Sequence, residues 1–259
     1  MGYPTLTYQL DGAIATIALT VPEKRNAISA QMIGDLLAAL DQAESGAHVV
    51  ILTGSGKAFC AGMDLDELQN IARQTLPKNL EDARRMSKLL YRLHSFPKPV
   101  IAAVNGPAIA GGCGLATLAD FTIAVPEAKF GYSEVKLGFM PALVSVFLRR
   151  QIGDRQARDL LLTGRIIDAA EALRMGLITE IVPRESLMNR AREIAALLLA
   201  ASPTAVEQTK KLLLGFDRAA IRAELETAIE ASADIRATPD FKEGVAAFLE
   251  KRPPKWGAS

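Results

Sequence analysis

Val100-Ile-Ala-Ala-Val-Asn-Gly-Pro-Ala-Ile-Ala-Gly-Gly-Cys-Gly-Leu-Ala-Thr-Leu-Ala-Asp120 is the stretch of this sequence that passes from a strand-like to a helix-like pattern. Residues 100–104 are all apolar, which is typical of a short buried β-strand. Asn105-Gly106-Pro107 is a turn signal, and residues 113–119, after Gly111-Gly112, have the composition of a helix start. The segment therefore predicts a strand, a glycine-rich turn and a helix N-terminus.

The predicted helix N-terminus can serve as an anion site. Its first backbone N–H groups have no intrahelical acceptor, and the helix dipole favours negative charge there. Glycines at positions 111 and 112 would let a ligand atom approach the backbone closely. A tight turn that needs glycine for its backbone angles explains the same residues equally well, so both interpretations stay open at this point.

Two nucleotide-binding motifs are excluded in this turn. Gly106 and Gly111 have the spacing of a Walker A loop, but Gly112 and Cys113 occupy the positions of its Lys and Ser/Thr. No G-x-G-x-x-G follows the strand with an acidic residue about 20 positions later. We therefore expect the glycines to face another developing negative charge, such as the oxyanion of a carbonyl group under attack.

The composition predicts a globular α/β protein. The chain has 259 residues, of which 49% are hydrophobic, and its net charge of +1 disfavours a nucleic-acid-binding surface. No apolar run has the length of a transmembrane helix and the first residues do not resemble a signal peptide, so we expect no membrane association. Cys60 and Cys113 are the only cysteines, which excludes a disulfide framework and favours a cytoplasmic location.

Strands alternate with helices in the first part of the chain, which predicts a layered βα core. Ser29 is placed to cap a helix that runs to about Ala43, and another helix is expected over residues 79–95. From about Asp154 the pattern is mostly helical, with a last short strand within residues 173–182. The other predicted strands, the first two joined by a hairpin turn at Asp11-Gly12, cover residues 5–10, 14–20, 49–53, 100–104 and 121–125.

Glu134 is the candidate for acid–base chemistry. It lies in Lys129-Phe-Gly-Tyr-Ser-Glu-Val-Lys-Leu-Gly138, between apolar residues and glycines. A carboxyl group in an apolar pocket has a raised pKa and can exchange a proton near neutral pH. A surface carboxylate paired with Lys129 or Lys136 is the alternative, and the residues taken alone favour it.

Other catalytic arrangements are disfavoured. His48 precedes a buried strand and His94 ends a helix, and neither lies in a motif with a nucleophile, so a catalytic triad is not expected. The His and Cys spacing fits no zinc site, and we predict no metal.

Taken together, several motifs resemble the enoyl-CoA hydratase/isomerase, or crotonase, superfamily along nearly the whole chain. Each motif is weak alone, but their order and spacing are specific. They are Pro22-Glu-Lys-Arg-Asn-Ala27, Lys57-Ala-Phe-Cys-Ala-Gly-Met-Asp-Leu65, Lys98-Pro-Val-Ile-Ala-Ala-Val-Asn-Gly106, Gly111-Gly112, Phe130-Gly-Tyr-Ser-Glu134, Leu162-Thr-Gly-Arg165 and Ala172-Leu-Arg-Met-Gly-Leu177.

The resemblance implies a fold, a substrate and an assembly. The fold would be α/β, a crotonase-like spiral of ββα units that forms an acyl-CoA-binding core over residues 1–200, with a C-terminal α-helical oligomerisation region over residues 201–259. The substrate would be an acyl-coenzyme A thioester, so coenzyme A is part of the substrate and no separate cofactor is expected. The assembly would be a homotrimer or a dimer of trimers.

The resemblance also assigns roles to residues. The backbone N–H groups of Met63 and Gly111 would bind the thioester oxygen, and Glu134 would be the acid and base. For both Glu134 and the glycine turn, the resemblance favours the functional interpretation over the structural alternative. Residues that match positions along the coenzyme path are Lys24, Arg25, Ala27, Ala61, Asp64, Leu65 and, near the C-terminus, Lys251.

Two departures from the family pattern bear on the reaction. The first of the two glutamates usual in hydratases falls on Gly114, which favours a one-base Δ3,Δ2-enoyl-CoA isomerase. Residues 137–145, Leu-Gly-Phe-Met-Pro-Ala-Leu-Val-Ser, instead resemble hydratases of the methylglutaconyl type, and we favour the hydratase. A non-catalytic acyl-CoA-binding subunit is the third alternative.

Four arginines are candidates for binding a second substrate carboxylate: Arg84, Arg85, Arg149 and Arg150. Solvated helix charges are the simpler interpretation of these four.

Overall fold

An antiparallel hairpin begins the fold, in a computed structural model that describes residues 2–257. Strand β1 (Leu6–Asp11) pairs with β2 (Ile14–Leu19), and Gly12 in the turn has φ +56°, a left-handed conformation that glycine adopts without strain. The hairpin predicted from Asp11-Gly12 is confirmed.

Two sheets follow from the hairpin. The larger has six strands in the order β1-β2-β3-β4-β6-β9, parallel from β2 onward, and the smaller has the order β5-β7-β8. The remaining strands are β3 (Val49–Gly54), β4 (Val100–Val104), β5 (Ala108–Ile109), β6 (Phe121–Ala124), β7 (Lys129–Gly131), β8 (Ile167–Asp168) and β9 (Glu180–Ile181). Every residue of β4 is buried, as its continuous apolar sequence predicts.

Helices cover the sheets and make up most of the second half of the chain. They are α1 (Ala30–Gly46), α2 (Leu65–Ile71), α3 (Leu76–His94), α4 (Gly111–Thr117), α5 (Ala142–Thr163), α6 (Ala169–Arg174), α7 (Leu187–Leu199), α8 (Pro203–Ile235) and α9 (Pro239–Leu249). The Ser29 side chain accepts a hydrogen bond from the Met32 N–H and caps α1, as predicted. Short 3-10 turns lie at Pro22–Lys24, Glu134–Leu137 and Arg184–Ser186.

Helix α5 differs from its prediction. It begins at Ala142, well before Asp154, because Pro141 precedes its first turn and the apolar residues that follow face the core. Gly153 breaks the helix with φ +77° and ψ 158°, so the second half restarts at the predicted position. The sequence pattern predicted only this second half of α5.

Parallel pairing of β3 and β4 brings two loops together at the carboxyl ends of the strands. Cys60 forms a bridge with Ala108, and Met63 forms another with Ile28, so the loop after β3 lies between the loop before α1 and the loop after β4. In open α/β sheets this edge is where ligands bind.

The long helix α8 is attached to the core by a buried lysine. Lys210 Nζ donates to Asp120 Oδ2 at 2.5 Å and to the Lys98 carbonyl oxygen at 2.9 Å. Asp120 Oδ2 also accepts from the Val100 N–H at 2.7 Å, so one ammonium group joins α8 to the start of β4.

Within residues 2–257, no helix combines the length and the apolar character needed to cross a membrane.

Replacing Lys210 tests this attachment. Lys210→Met removes both hydrogen bonds of the ammonium group and leaves Asp120 without its cation, so we expect a loss of about 2 kcal/mol of unfolding free energy. Denaturant unfolding measures it, and the exposed neighbour Lys211→Met is the matched control, expected within about 0.5 kcal/mol of wild type. Equal stability of the two variants would contradict a role for Lys210 in holding α8.

Candidate active site

Met63 presents its backbone N–H to a cleft. The Ile28 N–H donates to the Gly62 carbonyl oxygen at 2.7 Å, and the Asp64 N–H donates to the Ile28 carbonyl oxygen at 2.9 Å. Successive amides of an extended chain point in opposite directions, so the amide between these two bonds faces away from Ile28. The Met63 N–H has no acceptor among residues 2–257.

A second free N–H comes from the first residue of α4. Ala110 precedes it with φ +52° and ψ −126°, held there by a 2.7 Å hydrogen bond from its N–H to the Gly131 carbonyl oxygen. Gly111 follows, and its N–H also has no acceptor within the described part of the chain. A Cβ atom at Gly112 would lie 2.4 Å from the Cys60 carbonyl oxygen, so only glycine allows the two loops to approach this closely.

One cleft of about 1610 Å³ contains both amides and the candidate acid–base group. It is lined by Met63, Gly111 and Glu134. Of the residues predicted along the coenzyme path, the cleft is also lined by Lys24, Arg25, Ala27, Ala61, Asp64 and Leu65. Lys251 is exposed and does not line the cleft, whereas its neighbour Arg252 does.

Glu134 is buried in the wall of this cleft. Its carboxylate forms no ion pair within residues 2–257, and Oε2 is buried without a hydrogen-bond partner. Burial raises the pKa of Glu134 to about 7. The alternative of a surface carboxylate paired with Lys129 or Lys136 is therefore wrong, and the side chain has the environment of a proton acceptor and donor.

Local backbone geometry holds Glu134 in place. It begins the 3-10 turn Glu134–Leu137, which ends at Gly138 with φ +63°, and the Phe139 N–H donates to the Glu134 carbonyl oxygen at 3.1 Å. Helix α9 packs directly on this turn, since a Cβ atom at Gly244 would lie 2.2 Å from the Leu137 carbonyl oxygen. This contact fixes the turn that carries Glu134 against the C-terminal part of the chain.

The wall at position 114 is apolar and closed. A Cβ atom at Gly114 would lie 2.8 Å from Val144 Cγ1 and 3.5 Å from Leu90 Cδ2. Both side chains line the cleft, so hydrocarbon occupies the space into which a side chain at this position would project.

The mouth of the cleft carries several cations. Lys24 Nζ lies 2.9 Å from Asp64 Oδ2 and 2.8 Å from Asp66 Oδ2, and the two carboxylates raise the pKa of Lys24 above its ordinary value. Lys57 and Lys136 also line the cleft and have no ion-pair partner among the described residues. The sequence did not assign these two lysines to the coenzyme path, because isolated lysines carry no pattern of their own.

Asn26 organises the loops around the mouth and was also missed as a functional residue. Its fully buried side chain accepts from the Val21 N–H and donates to the carbonyl oxygens of Ser55 and Ala58, each at 2.9 Å. The amide thus joins the loop before α1 to the loop after β3. Its position beside polar Lys24 and Arg25 gave no sign that it is buried.

The four arginines considered for a second substrate carboxylate do not line the cleft. Three of them form ion pairs elsewhere, in the pairs Arg85–Glu81, Arg149–Asp154 and Arg150–Glu224. A different set of polar residues, which the sequence did not indicate, lines it instead: Asp82, Ser232 and Arg236.

The histidines lie away from this chemistry. His48 is exposed, and His94 packs against Phe147 with ring centroids 4.9 Å apart, where burial lowers the pKa of His94 to about 4. Neither lines the cleft. In the part of the chain that the structure describes, no group of three or more His, Cys, Asp or Glu is arranged to hold a metal ion.

Comparison with known proteins finds relatives along nearly the whole chain. The sequence model of the family described as enoyl-CoA hydratase/isomerase matches residues 9–259. A Thermus thermophilus protein with the provisional name of an enoyl-CoA hydratase is 43% identical over 95% of this chain and 98% of its own length. The short-chain-enoyl-CoA hydratase of Clostridium acetobutylicum is 34% identical over 93% of both chains.

Solved structures show the same fold. The crystal structure of an enoyl-CoA hydratase/isomerase from Xanthobacter autotrophicus superposes with a TM-score of 0.88 at 31% identity, covering 96% of this chain and 97% of the other. The predicted α/β crotonase-like fold is therefore confirmed. With nearly its whole length matched in sequence and in structure, the chain belongs to the enoyl-CoA hydratase/isomerase family of enzymes.

Proposed function

We propose that this enzyme hydrates the double bond of a 2-enoyl-CoA thioester. The observation that carries the proposal is the buried, unpartnered carboxylate of Glu134 in the same cleft as the free N–H groups of Met63 and Gly111. These groups are an acid–base catalyst and an oxyanion site, which are the requirements of conjugate addition to a thioester. The names of the relatives support hydration in particular.

In the proposed reaction, the thioester oxygen accepts hydrogen bonds from the Met63 and Gly111 N–H groups. Water adds through its oxygen to C3 while ionised Glu134 takes one of its protons, and the electron pair of the double bond moves to an enolate. The two N–H groups stabilise this developing charge, each by about 3 kcal/mol by analogy with other oxyanion holes. Protonated Glu134 then returns the proton to C2, which regenerates the carboxylate.

The coenzyme portion would lie along the mouth of the cleft. Arg25 and Lys57 supply positive charge there for phosphates, while Lys24 is held by Asp64 and Asp66 and shapes the passage together with Ala27, Ala61 and Leu65. The role of Lys251 stays a prediction from the resemblance. Coenzyme A enters as part of the substrate, and the proposal includes no metal and no separate cofactor.

Double-bond isomerisation is the second candidate, and the wall at Gly114 favours it. Hydrocarbon from Val144 and Leu90 fills the space of a second carboxylate, so one glutamate must carry all proton transfers. An isomerase needs only one base, which takes a proton from C2 and delivers one to C4. The combination of Glu134 with two free N–H groups argues against the third alternative, a non-catalytic binding subunit.

We further propose that residues 201–259 mediate self-association as a homotrimer or a dimer of trimers. Three large apolar side chains of α8, Leu212, Leu213 and Phe216, are exposed by 61%, 63% and 73%. Large apolar groups clustered at a surface are typical of protein interfaces.

A cytoplasmic location is also part of the proposal, and the two free, buried cysteines are compatible with it.

A paired assay separates the two reactions. We expect purified enzyme to remove the conjugated enoyl absorbance of crotonyl-CoA by adding water. Appearance of that absorbance from a 3-enoyl-CoA, with crotonyl-CoA unchanged, would instead identify an isomerase. Loss of neither substrate would contradict both reactions.

Glu134→Gln tests the proposed acid–base residue. The amide keeps the shape of the side chain but cannot exchange the proton, so kcat should fall by about 100-fold or more while coenzyme A binding stays near wild type. Steady-state kinetics and calorimetric binding measure the two effects. Glu185→Gln, an exposed position outside the cleft, is the matched control, and unchanged turnover in Glu134→Gln would remove this residue from the mechanism.

The pH dependence follows from the raised pKa of Glu134. Water addition needs the ionised carboxylate, so kcat/KM should rise with pH and level off above a pKa of about 7.

The same pKa predicts a pH-dependent stability. The folded state binds the Glu134 proton more tightly than the unfolded state, so Glu134 lowers the free energy of unfolding as pH rises from about 4.5 to above 7. Glu134→Gln should therefore be more stable than wild type at pH 8, by up to about 3 kcal/mol, and the difference should shrink towards pH 5. A difference that does not vary with pH would contradict the buried titration.

A further inference from the structure

An ion pair with a buried arginine lies in the wall of the cleft. Arg236 follows α8, its side chain is 2% exposed, and its Nη1 donates to Asp82 Oδ2 at 2.8 Å. Ser232, one turn earlier, accepts from Nη2 at 3.5 Å, and the Asn79 carbonyl oxygen accepts from Nη1 at 3.4 Å. We call Asp82, Ser232 and Arg236 the polar cluster, and all three line the cleft.

The polar cluster has hydrogen-bonding capacity that the protein does not use. Arg236 Nε is buried and has no acceptor among residues 2–257. Of the two Asp82 carboxylate oxygens only Oδ2 takes part in the ion pair, and the side chain remains 18% exposed. Buried donors without acceptors are rare in folded proteins, and the accessible part of the polar cluster is the Asp82 carboxylate.

Helix α3 places the polar cluster beyond the reacting centre. Asp82, Met86 and Leu90 are spaced four residues apart and share one helix face. Met86 Cε lies 3.0 Å from the position of a Cβ at Gly111, beside the oxyanion site. Asp82 is one turn further along the axis, about 6 Å, a distance that roughly five extended carbon–carbon bonds span.

The other side of the cluster adjoins the acid–base residue. The Arg236 guanidinium stacks on the Phe139 ring at 5.3 Å, and Phe139 follows the 3-10 turn that Glu134 begins. An acyl chain whose carbonyl lies at Met63 and Gly111 would therefore pass Glu134 and reach the polar cluster with its far end.

The charge of the cluster indicates what that far end carries. Arg236 is already neutralised by Asp82, so a substrate carboxylate would place two negative charges against one positive charge in a poorly solvated site. A hydroxyl group adds no charge and can donate to the free oxygen of Asp82. A plain alkyl terminus would leave this oxygen unsatisfied.

We propose that the polar cluster recognises an uncharged oxygen group, such as a hydroxyl, at the far end of an acyl chain of about six carbons. This specificity rests on the proposed function, because it assigns the acyl part of the thioester substrate.

Equilibrium binding tests the specificity without requiring turnover. Isothermal calorimetry compares three saturated thioesters of equal chain length: hexanoyl-CoA, 6-hydroxyhexanoyl-CoA and the carboxylate-bearing adipoyl-CoA. We expect the hydroxy compound to bind about tenfold more tightly than hexanoyl-CoA, and adipoyl-CoA to gain nothing. Equal binding of the hydroxy and alkyl compounds would overturn the proposal, and so would tightest binding of adipoyl-CoA.

Variants then assign the preference to the cluster. The double variant Arg236→Met/Asp82→Leu replaces the ion pair by apolar side chains of similar size, a change that folded proteins tolerate, and it should lose the tenfold preference. Arg150→Met/Glu224→Leu removes an ion pair outside the cleft and should retain it. Asp82→Asn leaves the Arg236 charge uncompensated and should bind adipoyl-CoA at least about tenfold more tightly than wild type does. A double variant that keeps the wild-type preference would overturn the assignment.

Failure of this proposal is distinguishable from failure of the proposed function. Turnover of crotonyl-CoA reports on Glu134 and the oxyanion site alone, since its short chain does not extend to the cluster. Turnover without a hydroxyl preference would overturn only the specificity, whereas a hydroxyl preference without turnover would overturn only the reaction. Absence of binding by all three thioesters would overturn both.

Discussion

Direct contact between two loop backbones is the constraint on which the cleft depends. A Cβ atom at Gly106 would lie 2.2 Å from the Lys57 carbonyl oxygen, and one at Gly112 would lie 2.4 Å from the Cys60 carbonyl oxygen. The loops after β3 and β4 therefore share a surface that side chains cannot enter. Hydrogen bonds join the two loops from the Phe59 and Cys60 N–H groups to Pro107 and from the Ile109 N–H to Cys60, whereas the Met63 and Gly111 N–H groups have no acceptor among residues 2–257. The proposed oxyanion site is a consequence of how the loops pack.

Burial of Glu134 is the second element, and the C-terminal helices support the turn that carries this residue. Helix α9 lies against the 3-10 turn at Gly244, and Phe139, just after the turn, packs on Phe241 with ring centroids 5.4 Å apart. A buried carboxylate is unfavourable when ionised, which costs stability near neutral pH and brings the pKa into the range useful for proton transfer. The C-terminal region thus helps to position the proposed acid–base residue, in addition to any role in assembly.

The sequence predicted elements that local patterns encode and missed those that depend on contacts between distant segments. The Asp11-Gly12 hairpin, the Ser29 cap and a helix at the glycine turn follow from turn, capping and composition rules, although α4 begins at Gly111, two residues before the predicted start. The pairing of Asp82 with Arg236 joins residues far apart in the chain and leaves no local signal, and Asn26 looks like any polar loop residue until its three hydrogen-bond partners are known. Glu134 was identified as a candidate, but only its packing decides between a surface ion pair and a buried base.

Packing around Gly114 also constrains the course of the reaction. Helix α5 begins at Ala142, and its first turn puts Val144 where a glutamate at position 114 would extend, so the second carboxylate is excluded by volume as well as by sequence. In the proposed reaction both proton transfers then use Glu134. A carboxylate that activates the water and later protonates C2 delivers the oxygen and the proton to the same face of the double bond. A single carboxylate therefore implies syn addition in the proposed hydratase, and in the isomerase it implies removal and return of the proton on one face.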